Sequence, residues 1–310
     1  MSGNTLILQV MLGLLFSLVG QSQEAPVQLM VLGHIQDAGS PQLGCEKACC
    51  RLLSADEQAG RMVSSLALFD PIDSVSVLID ATPDIARQMR AFSQATGGSG
   101  LPGHIFLTHA HIGHYTGLMY LGREAAASDS IPVYAMPRMK QFLENNGPWS
   151  LLSEAGYLNL RELQAGKPVK VSRRIRISAL PVPHRDEFSE TVGFLIKAGE
   201  SELLFIPDID KWELWQQDIR EMIRQVDLAF LDGTFYNGEE LPGRDMSEIP
   251  HPFISESMAY FNELDSTDRA KIHFIHLNHT NPALKDSSEA AARITDFGAR
   301  LAKTGMIFGL

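Results

Sequence analysis

Three histidines within six positions, His109, His111 and His114, are the side chains in this sequence best placed to do chemistry. His109 and His111 are two apart, so an extended backbone points both rings the same way, and His114 can swing back where the chain turns. Neutral imidazole is the commonest protein metal ligand, so three rings converging in one loop read as a metal site. The bland alternative is a surface loop rich in histidine. What precedes and follows favours the metal: Ile105-Phe106-Leu107 reads as a buried strand, and Tyr115 to Leu121 as the start of a helix. The rings therefore stand at a strand end.

Other polar residues occupy the same kind of position. His184 follows Leu180-Pro181-Val182-Pro183, Asp208 follows Leu204-Phe205-Ile206-Pro207, Asp232 follows Phe230-Leu231, and His276 and His279 follow Phe274-Ile275. Layered α/β proteins gather their ligands at one edge of the strands. One such histidine alone is more often a satisfied loop residue than a ligand, but recurrence at successive strand ends reverses that. Asp208 as a turn cap before Trp212 and His276 as a backbone-bonded core histidine stay open as alternatives.

The elements that must position these groups alternate. Val27 to Gly33 and Val75 to Ile79 read as strands, Ile85 to Phe92 as a helix, Pro132 to Ala135 as a strand and Pro137 to Asn145 as a helix. A period of two then predicts strands at Val169 to Val171, Ile175 to Leu180, Val192 to Ala198 and Leu203 to Ile206. Helices are expected at Asp218 to Gln225, Glu256 to Asn262 and Glu289 to Lys303, with strands at Leu228 to Leu231 and Ile272 to Leu277. This is the pattern of a layered α/β domain. A coarse duplication, with a boundary near Gly166 and Lys167, is compatible with it.

The chain has 310 residues, 45% of them apolar, enough for a proper core. A formal charge of −11 argues against a protein that tracks nucleic-acid phosphates and favours small-molecule partners. Leu6 to Val19 has the length of a signal-peptide core, too short to span a bilayer comfortably, and Gly20 and Ser22 allow cleavage after Ser22. The expectation is a signal peptide at 1–22, a domain at 23–310, export to the periplasm or medium, and no stable membrane association after cleavage. An uncleaved anchor or a misplaced start are the alternatives, since no Lys or Arg precedes the run. Cys45, Cys49 and Cys50 lie within six positions and allow either a disulfide, with Cys45 as one partner, or a metal knuckle. Oligomeric state is not legible.

With these residues in place the sequence resembles the metallo-β-lactamase fold, a four-layer αββα architecture. Its signature is His-x-His-x-Asp-His after a strand, then a His, an Asp and a final His at later strand ends. The resemblance implies one metal site from His109, His111 and His184 with Asp208 as a bridging carboxylate, and a second from His114, Asp208 and His276. Gly113 stands where the motif has Asp, so the second site is expected to be one carboxylate short. A narrower resemblance rests on Gly39-Ser40-Pro41-Gln42 before the cysteines, Gly243-Arg244-Asp245-Met246, and His276-Leu277-Asn278-His279-Thr280-Asn281-Pro282. These segments are similar to the pyrroloquinoline quinone biosynthesis protein B branch of the family. That branch has a Cys-x-Cys-x-x-Cys knuckle; here Cys45 and Cys50 match its ends, Lys47 takes the middle position and Cys49 is extra. The first histidine cluster is more complete here than in the branch, which places the chain between it and ordinary hydrolases.

The implied activity is hydrolysis of a small ester, lactone, amide or phosphodiester by metal-bound hydroxide, with one or two Zn²⁺. Asp208, His114 and His251 are the catalytic candidates, His251 as a substrate-facing acid. Two imidazoles and one carboxylate also suit Fe²⁺, so an oxidative step in cofactor or peptide maturation is the rival reading, and a non-catalytic metal-binding relative the third. Ser189-Glu190-Thr191 is expected to orient His184, Asp80 and Asp232 to bind backbone or a ligand imidazole, and Trp212, Trp215, Phe235 and Tyr236 to form either an apolar wall of the site or ordinary core.

Overall fold

The structure is a computed structural model that describes residues 24–310; the expected signal peptide at 1–22 lies outside the described residues. Among the described residues fourteen strands form two sheets. The first contains β1 (Gln28–Gly33), β2 (Ser65–Asp70), β3 (Val75–Ile79), β4 (His104–Phe106), β5 (Ile131–Ala135) and β6 (Leu158–Glu162). The second contains β7 (Val169–Lys170), β8 (Ile175–Pro181), β9 (Val192–Ala198), β10 (Ser201–Ile206), β11 (Leu228–Asp232), β12 (Ile272–Ile275) and β13 (Arg300–Leu301). The last strand, β14 (Ile307–Gly309), returns to pair antiparallel with β1. In each sheet four strands pair antiparallel and three more add in parallel, so the halves repeat one plan with a boundary between β6 and β7.

Period-two burial explains why the sheets pack face to face. In β8, Ile175, Ile177 and Ala179 are buried while Arg176 is exposed. They meet Leu66, Leu68, Val77, Ile79 and Phe106 of the first sheet, and Phe194 stacks edge-on against Phe106 with centroids 5.9 Å apart. Each buried Val, Leu, Ile or Phe among them contributes roughly 1.5–3 kcal/mol. The opposite faces are covered by helices: Ile85–Thr96 and Pro137–Asn145 on the first sheet, Ile219–Gln225, Ile254–Tyr260 and Glu289–Phe297 on the second. The result is the four-layer αββα arrangement.

Some boundaries differ from the sequence reading. The closing helix stops at Phe297 rather than Lys303, because Gly298 takes φ +100° and Arg300–Leu301 then pairs with β12. Strand β2 escaped the pattern search because it is buried on both faces and shows no alternation. The helix expected from Tyr115 is one short turn, Ile112–Tyr115, running into a 3-10 segment, Thr116–Leu121.

Candidate metal centre

The strands that carry the polar residues end at one edge of the sandwich. β1, β3 and β4 bring Asp37, Asp80 and the histidine loop from the first sheet; β8, β10, β11 and β12 bring His184, Asp208, Asp232 and His276 from the second. Two stitches close the seam between the sheets. Gln36 N–H donates to the Leu277 carbonyl at 2.9 Å, and Leu277 N–H to that of His34 at 2.8 Å, which sets Asp37 beside His276. Asp210 N–H bonds the Pro183 carbonyl at 2.8 Å and draws the Asp208 loop against His184.

The donor atoms form two four-residue groups that share Asp208, and a smaller third, with Asp232 and His251, meets at the same carboxylate. His109, His111, His184 and Asp208 each offer an atom within 4.8 Å of the others, and so do Asp37, His114, Asp208 and His276. In the first group His109 Nε2 is 3.4 Å from Asp208 Oδ2, His184 Nε2 is 3.6 Å from Oδ1, and His111 Nδ1 is 2.8 Å from His109 Nε2. In the second, His114 Nε2 is 2.9 Å and His276 Nε2 3.1 Å from Asp37 Oδ1, with Asp208 Oδ2 3.4 and 3.3 Å away. The structure thus assembles every histidine and aspartate expected from the sequence in these two groups.

Asp37 was not among the expected residues, and it corrects the view that the second group lacks a carboxylate. It arrives from the loop after β1 instead of from the histidine motif. Gly113 is what admits it: a Cβ at 113 would lie 2.5 Å from Asp37 Oδ1 and 2.6 Å from its Cα. The side chain missing from the motif has been replaced by one from another strand end. The only sequence signal was a Gly in a ligand position, which marks vacated space for some other group.

The outward nitrogens show which way the rings are protonated. Thr234 Oγ1 donates to Asp232 Oδ1 at 2.7 Å and therefore accepts from His276 Nδ1–H at 3.0 Å, which turns His276 Nε2 toward Asp37 and Asp208. By the same logic Thr108 Oγ1 donates to Asp80 and accepts from His109 Nδ1–H. His114 Nδ1 bonds Asp80 Oδ2 at 2.7 Å and His184 Nδ1 bonds Asp210 Oδ1 at 3.1 Å. Ligating imidazoles are held in this way, each fixed through its outer nitrogen. His114 Nε2, His184 Nε2 and Asp208 Oδ1 are buried without hydrogen-bond partners. Imidazoles and carboxylates crowded into one buried volume, with three of their atoms orphaned, are what a cation would satisfy, so the donor set fits metal.

Burial by itself would raise Asp208 and Asp37, but the surrounding imidazoles hold both carboxyls well below their usual range. Burial would likewise lower His114, and Asp37 and Asp80 overturn it and hold the ring well above the ordinary value. His109 goes the other way, lowered by burial and by the charge on His114. His251 is lowered by burial but raised more by Asp232 and Asp208, to about 9. Its Nδ1 lies 2.8 Å from Asp232 Oδ2 and 3.3 Å from Asp208 Oδ1. Asp80 and His276 both adopt left-handed backbone, φ +65° and +66°, at a cost of about 1–2 kcal/mol each.

Several smaller expectations change. Ser189 accepts from Ala110 N–H and Glu190 from Arg138 N–H, so Asp210, and not this turn, orients His184. Trp212, Trp215 and Tyr236 belong to the core behind the second sheet, and only Phe235 of that set lines the cleft. His279 leaves the centre to join Cys45, Cys49 and Cys50, its Nδ1 3.2 Å from Cys50 Sγ and 3.6 Å from Cys49 Sγ. The three thiols are unpaired. A Cys₃His set of this kind suits a structural zinc, which favours the knuckle over the disulfide.

A cleft of about 460 Å³ opens beside the centre, lined by His251, Thr234 and Phe235 and by the neighbours of Asp37 and His184. No helix among the described residues is long and apolar enough to cross a membrane.

Two sheets in four layers with shared-carboxylate donor groups at one edge define a class, and the chain belongs to it: residues 76–277 match the family model described as Beta-lactamase superfamily domain. Within that class the chain is 25% identical to Coenzyme PQQ synthesis protein B of Methylobacterium nodulans, over 92% of this chain and all of that protein. Among solved structures it is similar to Zn(2+)-bound PqqB from Methylobacterium extorquens, with a TM-score of 0.76 and 22% identity over 91% of this chain and 100% of that one. It also resembles a diphosphatase from the PhnP family, with a TM-score of 0.63 and 21% identity over 92% and 97% of the two chains. These two likenesses are of fold.

Proposed function

We propose that the protein is a metal-dependent hydrolase acting on a small ester, lactone, amide or phosphodiester. The observation that carries this reading is the pair of four-donor groups meeting at Asp208 beside an open cleft. His109, His111, His184 and Asp208 would hold one ion, and Asp37, His114, Asp208 and His276 the other. Zinc bound there supplies Lewis acidity and a water acidic enough to ionise near neutral pH. Asp208, buried between the two groups, fixes their spacing, while Asp80, Asp210 and Thr234 keep the rings turned inward. His251 faces the cleft with Asp232 behind its Nδ1, placed to hand a proton to the leaving group. A fold shared with a diphosphatase supports hydrolysis.

Elemental analysis of protein purified without added metal, joined to a panel of esters, lactones and phosphodiesters, tests it. His111→Ala is expected to lose zinc and to lower turnover about a hundredfold or more. Zinc lost with turnover intact would remove the metal from the mechanism.

A second reading is favoured by the similarity to Coenzyme PQQ synthesis protein B over nearly the whole chain: an iron-dependent oxidative step in cofactor or peptide maturation. Iron in the purified protein and oxygen uptake with substrate would select it. Metal retention without any turnover would instead select a binding protein. We also propose export, on the apolar run Leu6 to Val19, to be checked by cell fractionation.

A further inference from the structure

The cleft beside the metal centre has a charge opposite to that of the molecule. The chain carries 37 acidic and 26 basic residues, yet every charged side chain lining the cleft other than histidine is a cation: Lys47, Arg185 and Arg244. They come from three separate segments, the cysteine knuckle, the residue after His184, and the late loop before His251. Among the described residues none of the three side chains takes part in an ion pair or hydrogen bond, although elsewhere Arg173, Arg174, Arg220 and Lys211 are all paired. The neighbouring acids are turned to other tasks. Glu240 accepts from Tyr236 N–H at 2.7 Å and from the Thr280 hydroxyl, and Asp245 accepts from Ser247 N–H at 2.9 Å.

Unpaired cations on a protein surface are usually just solvated. Three of them converging on one concavity in a chain of charge −11 are a different matter, because a cleft focuses the field and the rest of the surface repels anions. The cations are also positioned. Arg185 follows the ligand His184 directly, and Lys47 lies between Cys45 and Cys49, so its backbone is held by the knuckle that His279 completes.

We propose that Lys47, Arg185 and Arg244 receive an anionic oxygen group of the substrate, a carboxylate or a phosphate, and hold it beside the donor groups. This rests on the reading of the centre as a substrate site, and it narrows the substrate to an anion. Arg185 and Arg244 can grip such a group through two parallel N–H bonds, and Lys47 adds a point charge.

The test uses the full chain with its metal, at low ionic strength, with succinate and inorganic phosphate titrated separately by calorimetry. The native protein is expected to bind at least one of them, the tighter one identifying the source of the charge. The triple variant K47Q/R185Q/R244Q is expected to bind it about tenfold or more weakly with metal content unchanged, and raised salt to weaken the native protein alone. Because Lys47 adjoins the cysteines, K47R serves as the control, expected to keep both binding and metal. A triple variant within twofold of the native protein for both anions, or a native protein that binds neither, overturns the proposal. No turnover enters these measurements, so a failure of the hydrolase reading is seen separately, as anion binding without reaction.

Discussion

Asp37 and Gly113 exchange a side chain for a space, and that exchange can be tested directly. Asp37→Ala is expected to remove one ion of the pair, read as metal per chain by elemental analysis, while leaving the group of His109, His111 and His184 filled. Gly113→Ala is expected to lose the same ion by displacing the Asp37 loop, and D37A/G113D is expected not to regain it, since a Cβ at 113 would still lie 2.6 Å from the Cα of residue 37. Asp80 acts one layer further out. Asp80→Asn keeps the shape but gives up the charge that fixes His114 Nδ1, and metal affinity should fall about 10- to 100-fold in a chelator competition. At this scale most of the centre was legible: a histidine or aspartate at the end of an apolar strand announces itself by type and spacing. Asp37 was not legible, because a lone Asp in a loop rich in Gly and Pro has the composition of any turn.

Among the elements, the link between β2 and the β7–β8 hairpin ties the two sheets together away from the site. Asp70, at the end of β2, is fully buried, accepts from Ser172 Oγ at 2.8 Å and from Arg174 Nε at 3.1 Å, and pairs again with Arg174 Nη2. Burial pushes this carboxyl up, but the bonds from Arg174 and Ser172 win and hold it at about 2. Because the folded value lies below the unfolded one, the contribution is complete above about pH 4 and is lost as pH falls through 2. Asp70→Asn is expected to cost roughly 2 kcal/mol at neutral pH. Thermal melts of the native protein and the variant should therefore converge as the solution is acidified. Strand β2 itself was missed in the sequence for the same reason that it is stable: burial on both faces erases the alternation that reveals a strand.

On the scale of the whole molecule, the centre spans a seam. Asp37 and the three motif histidines belong to the first sheet, and His184, Asp208 and His276 to the second, so an ion held between them binds the folded sandwich and not the unfolded chain. Stripping the metal with a chelator is expected to lower Tm, by an amount that reflects a few kcal/mol of binding linkage, and calorimetry with and without restored zinc checks it. Residue type and spacing settled by themselves that strand ends carry the histidines and aspartates of the centre and that the chain alternates strand and helix. These are local properties, fixed by chemistry within a few residues of each position. Which carboxylate completes the second group, that His279 turns to the cysteines while His276 turns to Asp208, and that the cleft is lined with cations are decided only when the two sheets close. Each depends on groups about 240 positions apart meeting across backbone bonds such as Gln36 to Leu277, and no pattern along the chain encodes that distance.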